Sequence, residues 1–273
     1  MSKLPLAMAL LAALLFGAAT PASKALLQAL PTFQLAGLLY LGAALGVLPL
    51  IFHERTFSWP WNWDRQTALR LVGAISMGGV LGPVFLLFGL RLASSASVSL
   101  WLNLELIATV LLGYFFFRDE LNLHGWVATV GMLAAATLLS VSEGCAGVQA
   151  GLLVALACVC WGLDNHYTAL ITGVTPAQTT FWKGLVAGMV NFSIGINLDA
   201  YTATLSLTAM AITVGVFSYG ISIVLYITSA QKLGATRSQV IFSSSPFFGV
   251  ILAATFLAEP IPPAQIIATL VIM

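Results

Sequence analysis

Apolar runs as long as a membrane crossing follow one another along this chain with almost nothing between them. They fall at 4–29, 32–52, 66–90, 94–117 and 123–141, then at 148–171, 175–197, 204–229, 233–257 and from 262 onward. A helix needs about 20 apolar residues to cross a hydrocarbon core of roughly 30 Å. Lipid offers no partner to a backbone amide, so a run of that length has to pair its own backbone as a helix. The last run stops at Met273 and is too short for a full crossing. Ten helices spanning a bilayer are the expected fold: an all-α polytopic membrane protein.

Charge excludes the soluble alternative. The 273 residues are 60% apolar and hold 10 Lys+Arg and 9 Asp+Glu, so 7% are charged, where a soluble domain carries about 25%. A net charge of +1 offers no basic patch, so no nucleic-acid partner is expected. Cys158 and Cys160 are two apart on one helix and point to nearly opposite sides, which makes a poor metal clamp. Cys145 reads as a lone thiol in a loop. No metal or other cofactor is implied. The first run resembles a signal peptide, with Lys3 ahead of Leu4–Leu15 and small residues at Gly17–Ala19. It continues through Pro21 and Ala22 to Leu30, however, and reads as a retained span.

Basic residues near span ends set the orientation. With the N-terminus inside, Lys3, Arg55, Arg65, Arg70, Arg118, Lys232 and Arg237 are cytoplasmic, against Lys24 and Arg91 outside. Both termini are then cytoplasmic, and a bacterial inner membrane is the expected location. Phe57-Ser58-Trp59-Pro60-Trp61-Asn62-Trp63 fits an aromatic belt at the inner interface, with a tryptophan-lined recognition loop as the alternative.

The chain also matches itself at a displacement of 140–145 residues. Phe16-Gly17 pairs with Trp161-Gly162, Arg91-Leu92-Ala93 with Lys232-Leu233-Gly234, and Asp119-Glu120-Leu121 with Glu259-Pro260-Ile261. Five spans is an odd number, so the second copy enters from the opposite side. The expected organisation is two inverted five-helix repeats, 1–145 and 146–273, around a central cavity near the bilayer midplane.

Ionisable groups inside spans cost about 2.5–3.5 kcal/mol on insertion scales, so each is a site candidate. Glu105 lies near mid-span, and Trp101, four residues earlier, shares its face on a regular helix. That pair suits a substrate ring stacked on Trp101 and an ammonium or proton on Glu105; a hydrogen bond between helices is the alternative for Glu105. Asp164 and Lys183 flank the turn around Gly173 at nine and ten residues, so they reach similar depth on antiparallel helices. They suit an ion pair between helices, or a place where substrate charges compete. His166 points away from Asp164 and suits packing against another helix or a proton relay.

Gly215, Tyr219, Ser222, Tyr226 and Ser229 form a polar stripe at helical spacing that suits a cavity wall. Ser243-Ser244-Ser245-Pro246 interrupts span 9, where Pro246 lacks an N–H and frees the carbonyl of Phe242. Ser244 joins the site candidates, and Pro21, Gly78, Pro83 and Pro246 are the hinge candidates. Gly42/Gly46, Gly78/Gly82 and Gly184/Gly188 permit close helix packing. Asn191-Phe192-Ser193 fits the glycosylation pattern but lies within a span.

Phe16-Gly17 followed by Lys24, the run Asn103-Leu104-Glu105, Glu120-Leu121, Trp161-Gly162 and Pro246 with Glu259 together resemble the EamA family of the drug/metabolite transporter superfamily. The resemblance covers essentially the whole chain. It implies ten helices in a basket and export of small metabolites, amino acids including aromatic ones being the best-known substrates. Leu106 departs from the proline the family often has there, and Ser245 stands where a second glutamate would be. Position within the spans makes Trp101, Asn103, Glu105, Trp161, Asp164, Lys183, Tyr219, Ser222, Phe242 and Ser244 the candidate site residues, with Glu105 and His166 as candidate proton carriers. A monomer binding a small-molecule substrate within the lipid bilayer is the expected state.

No G-x-x-x-x-G-K-[ST] motif is present, so a gradient has to supply the energy. A drug or nucleotide-sugar carrier is the runner-up, although phosphates would call for several deep basic residues. An intramembrane enzyme lacks a nucleophile with a base beside it, and a Schiff-base pigment on Lys183 sits badly with ten spans.

Overall fold

The computed structural model describes residues 3–54, 57–116 and 123–272. Arg55, Arg118 and the Asp119-Glu120-Leu121 segment lie outside them. Regular structure among the described residues is helical throughout. In chain order the helices are α1 (Leu4–Leu26), α2 (Thr32–His53), α3 (Arg65–Leu92), α4 (Ser95–Phe116), α5 (Gly125–Ser142), α6 (Gly144–Ala169), α7 (Pro176–Leu198), α8 (Leu205–Leu233), α9 (Arg237–Phe256) and α10 (Pro263–Ile272). Eight of these, all but α7 and α10, are long and apolar enough to cross a membrane. α7 has the length, 23 residues, but Gln178, Lys183, Asn191 and Asn197 dilute its apolar character. α10 has 10 residues.

Most boundaries fall close to those read from the sequence. One difference is Cys145. α5 ends at Ser142 and α6 begins at Gly144, so Cys145 is exposed in the first turn of a helix rather than in a loop. Gly144 makes the reversal at φ 73°, a left-handed conformation that costs glycine little.

Several helices are not regular, and the irregularities recur. α3 runs as α-helix over Arg65–Ala74, as π-helix over Ile75–Leu81, and as α-helix again over Gly82–Leu92. α8 does the same over Leu205–Val214, Gly215–Ile221 and Ser222–Leu233. The two π segments start at Ile75 and Gly215, 140 residues apart. α4 breaks between Ser95–Trp101 and Leu104–Phe116, and α9 between Ala235–Phe242 and Ser245–Phe256. A turn at Ala18 also divides α1, and Pro21 sits in the short buried helix Ala19–Leu26 beyond it.

Small residues let these helices approach backbone to backbone, the usual basis of association in lipid. α2 and α7 pack along most of their length. A Cβ on Gly184 would stand 2.7 Å from the Tyr40 carbonyl, and one on Gly188 2.7 Å from the Leu41 amide. Polar caps close both ends of this pair. Gln34 Nε2 donates to the carbonyls of Gly195 (3.3 Å) and Asp199 (2.8 Å) at one end. At the other, Gln178 Nε2 donates to Glu54 Oε2 (2.6 Å), and its Oε1 accepts from the Ser58 amide (2.9 Å). The segment after α2 folds back there, so that Phe57, Trp59 and Trp63 all meet Trp182 of α7. α5 is the least enclosed of those eight, with Thr129, Ala135 and Leu139 its buried residues.

Candidate functional site

The site begins with a proline. Within the π segment of α3 the Gly82 amide donates to the Met77 carbonyl, five residues back. The next donor in that register is residue 83, which is Pro83 and has no N–H. The Gly78 carbonyl is thereby left for other partners, and two side chains supply them. Trp161 Nε1 on α6 donates at 3.0 Å and the Tyr40 hydroxyl on α2 at 2.5 Å. A buried carbonyl needs such donors, and here they fix two aromatic rings at the centre of the molecule. Gly78 has no room for a side chain, because a Cβ would fall on the carboxylate of Asp164.

Around these rings lies a cavity with about 50 Å³ open to the centre of a water molecule. One water needs roughly 10–15 Å³ by that measure, so the space holds a few waters. Anything as large as an amino acid requires the walls to move. Phe16, Tyr40, Trp161, Tyr219, Tyr226 and Phe242 form its aromatic wall. Phe16 ties the two halves of the chain together, meeting Trp161 edge-on at 6.1 Å, Tyr219 at 5.7 Å and Phe242 at 5.2 Å.

The polar side of the cavity carries three ionisable groups. Lys183 Nζ of α7 stands 2.7 Å from Asp164 Oδ2 of α6, the ion pair that the spacing about Gly173 anticipates. Thr168 Oγ1, one turn on, donates to Asp164 Oδ1 at 3.0 Å. Glu105 stands apart from that pair. Both its hydrogen bonds fall on Oε1, from Asn165 Nδ2 (3.0 Å) and Gln239 Nε2 (3.3 Å). Its nearest partners are thus neutral amides. The hydroxyls of Tyr219 and Tyr226 and Oε1 of Gln239 are buried without a hydrogen-bond partner. Such groups cost about 1–3 kcal/mol each when left unmatched.

Of the residues expected from the sequence, Glu105, Trp161, Asp164, Lys183, Tyr219 and Phe242 line this cavity. Four do not. Trp101 is 1% exposed, and its Nε1 donates to the Ala136 carbonyl of α5 at 3.1 Å. The break at Leu102–Asn103 removes the helical register that would have placed it beside Glu105. Asn103 Nδ2 turns back to the Leu100 carbonyl (3.1 Å) within that break. Cys158 Sγ covers the carbonyls freed there, at 3.8 Å from Trp101 and 4.0 Å from Leu102. Ser222 Oγ donates to the Ala12 carbonyl of α1 (2.8 Å), and Ser244 Oγ to the Ile241 carbonyl (2.8 Å). His166 packs against α4, with Nε2 2.9 Å from the Thr109 carbonyl.

Among the hinge candidates, Gly78 and Pro83 lie at the π segment of α3, and Pro246 opens the second half of α9. Sequence reasoning missed Tyr40, Asn165, Thr168 and Gln239. The only available signal was a polar side chain within an apolar run, which many structural residues share.

A bundle of apolar helices, eight of them long and apolar enough to cross a membrane, around a cavity with charged and aromatic walls is the architecture of an integral, multi-pass membrane protein. The sequence model of the EamA-like transporter family matches residues 3–141 and 149–273, and the chain belongs to that family. An uncharacterized transporter of Methanothermobacter thermautotrophicus is 28% identical over 225 residues, 77% of this chain. The chain spans 63% of that relative's length. A crystal structure of a protein superposes with a TM-score of 0.74 over 98% of this chain and 95% of the other, at 19% identity, and so shares the fold. Family and relative alike are transporters, not enzymes.

Proposed function

We propose that this chain is a secondary exporter of small amphipathic metabolites, amino acids first among them, working by alternating access around the central cavity. In this reading α7 and α10 also enter the bilayer, giving ten spans as two inverted repeats, 1–145 and 146–273. The recurrence of π segments and helix breaks about 140 residues apart supports the repeat. The glutamines that close opposite ends of the α2–α7 pair support the inversion. The basic residues favour cytoplasmic termini, and the protein acts as a monomer in the cell membrane.

One observation carries the substrate reading: Glu105 opens on an aromatic cavity, hydrogen-bonded to two neutral amides and outside the Asp164–Lys183 pair. A carboxylate in that setting suits an ammonium group, while Phe16, Trp161, Tyr219 and Phe242 suit an apolar or aromatic body. Lys183 takes a substrate carboxylate if Asp164 yields it. The unpartnered hydroxyls of Tyr219 and Tyr226 supply two further donors. In the absence of substrate, Glu105 is the place for a proton.

A broader carrier of cationic drugs is the second reading, favoured by the same carboxylate outside the ion pair. Nucleotide sugars fit less well, because Lys183 is the one basic residue lining the described cavity. The test is uptake or exchange of labelled amino acids, amines and nucleotide sugars in proteoliposomes. Flux of amino acids with the others silent is expected; no flux with any compound of a wide panel would end the transport reading.

A further inference from the structure

The ends of the α4–α9 pair differ. At the end bearing Lys24, the first half of α4 (Ser95–Trp101) packs closely on the second half of α9 (Ser245–Phe256). Gly249 there lies against Ser99 with no space for a Cβ. At the opposite end, the first half of α9 touches the second half of α4 at few points. A small, partly open pocket lined by Asn165, Thr168, Tyr226, Ile227, Ala230 and Gln231 lies between α6 and α8 and shares the first four of these with the cavity. Lys232 and Arg237, beyond it, are exposed.

The closed end is tied by one carboxylate in particular. Glu259, just past α9, accepts from the Ser95 amide (3.1 Å), the Ser95 hydroxyl (2.8 Å) and the Ala96 amide (3.0 Å), using both oxygens. The two amides are among the N–H groups at the start of α4 that have no partner within the helix and favour an anion. The residue before it, Ala258, has φ 52°, and no other non-glycine among the described residues has a positive φ. It is the left-handed residue that ends α9, where the amides of Leu257 (3.0 Å) and Glu259 (3.4 Å) both turn back to the Ala253 carbonyl and so aim the Glu259 side chain at α4. Neighbouring contacts close the same end. Glu143 accepts from the Ser94 and Ser97 hydroxyls. Gln265 Nε2 donates to the Ser97 hydroxyl (2.9 Å). Lys24 Nζ donates to the carbonyls of Leu90 (2.7 Å) and Ala93 (2.8 Å).

We propose that Glu259 is the latch of the gate at this end, holding α4 to α9 while the opposite end is open, and released once in every transport cycle. The proposal rests on the alternating-access reading above. In that reading the latched end is the outer one.

The test uses the full chain in lipid nanodiscs, where both faces are reachable, with Cys145, Cys158 and Cys160 replaced. A single reporter is introduced as Ser99→Cys behind the latch, or as Ala230→Cys at the opposite opening, and its maleimide labelling rate is measured. Glu259→Gln is expected to raise labelling of the first reporter about tenfold and to lower that of the second several-fold. Ser95→Ala, which removes one bond of three, should act in the same direction by about threefold. An unchanged first reporter overturns the proposal. So does a faster first reporter with an unchanged second, because that is local fraying and not a gate. Reciprocal labelling without substrate flux in liposomes would keep the latch and remove the transport reading.

Discussion

Breaking the Asp164–Lys183 pair is the sharpest perturbation the cavity allows. The two side chains are 9% and 4% exposed and 2.7 Å apart. At an effective dielectric of about 20, unit charges at that distance attract by roughly 6 kcal/mol. Withdrawing each from water costs several kcal/mol, so the pair as a whole is close to balance. A single substitution upsets the balance, because it leaves one buried charge with nothing opposite it. Asp164→Asn or Lys183→Met should each cost about 3–5 kcal/mol, whereas both together should cost far less than the sum. Thermal unfolding in detergent reads this directly. At roughly 2–4 °C per kcal/mol, each single variant should melt on the order of 10 °C early and the double variant much nearer to wild type. The exchanged pair, Asp164→Lys with Lys183→Asp, should recover most of the stability yet transport less than a tenth as fast, since substrate would meet the charges reversed. Single variants that each cost under about 1 kcal/mol and add without coupling would refute the electrostatic argument. Full transport by the exchanged pair would show that the charges only hold α6 to α7.

Three further outcomes follow from the same geometry. Glu105→Gln should leave the melting temperature within a few degrees, while abolishing the pH dependence of transport and cutting its rate at least tenfold; unaltered flux at every pH would exclude Glu105 from the mechanism. Tyr40→Phe and Trp161→Phe each remove one donor from the Gly78 carbonyl and should each cost about 1 kcal/mol. Their combination should cost more than the sum, by losing the last donor to a buried acceptor, and simple additivity would contradict that account. At the surface, Asp64 caps α3 through the amides of Gln66 (3.0 Å) and Thr67 (3.1 Å). Its carboxyl is held below the usual value, first by the hydrogen bond with the Thr67 side chain. The stabilisation this brings is therefore complete above about pH 4, and fades as pH falls through the lowered value. The melting difference between wild type and Asp64→Asn should shrink from pH 7 to pH 3, and a difference constant across that range would remove the charge from the cap.

The helix ends and the ion pair were legible because they depend on length and apolarity alone. Asp164 and Lys183 needed only a turn at Gly173 and antiparallel neighbours. What the sequence concealed was the register inside the helices. Trp101 and Glu105 share a face only if the helix is unbroken, and two turn residues, Leu102 and Asn103, separate them. The stripe on α8 divides because its width spans two faces of the helix. A π segment begins at Gly215 and ends just ahead of Ser222. Tyr219 and Tyr226 reach the cavity, while Ser222 and Ser229 bond to the carbonyls of Ala12 and Pro5 on α1. Ser222 and Ser229 are seven apart on one side of the helix and Tyr219 and Tyr226 seven apart on another, so the stripe divides between the face against α1 and the face on the cavity. Asn165 went unnoticed beside His166 because a neutral amide carries no burial penalty large enough to draw attention.

The placement of Trp101 also bears on how the molecule lives in its solvent. Its indole bonds to the Ala136 carbonyl of α5, the helix most open to lipid, and none of the described cavity wall comes from α5 or α10. Lipid tails therefore do for this edge what neighbouring helices do for the rest. Short-chain detergents, which fill that boundary poorly, should loosen α5 first and leave the central chamber whole. In a variant whose other six tryptophans are replaced by phenylalanine, the fluorescence of Trp101 becomes a gauge of the annulus, reporting the loss of bilayer before any loss of the binding chamber.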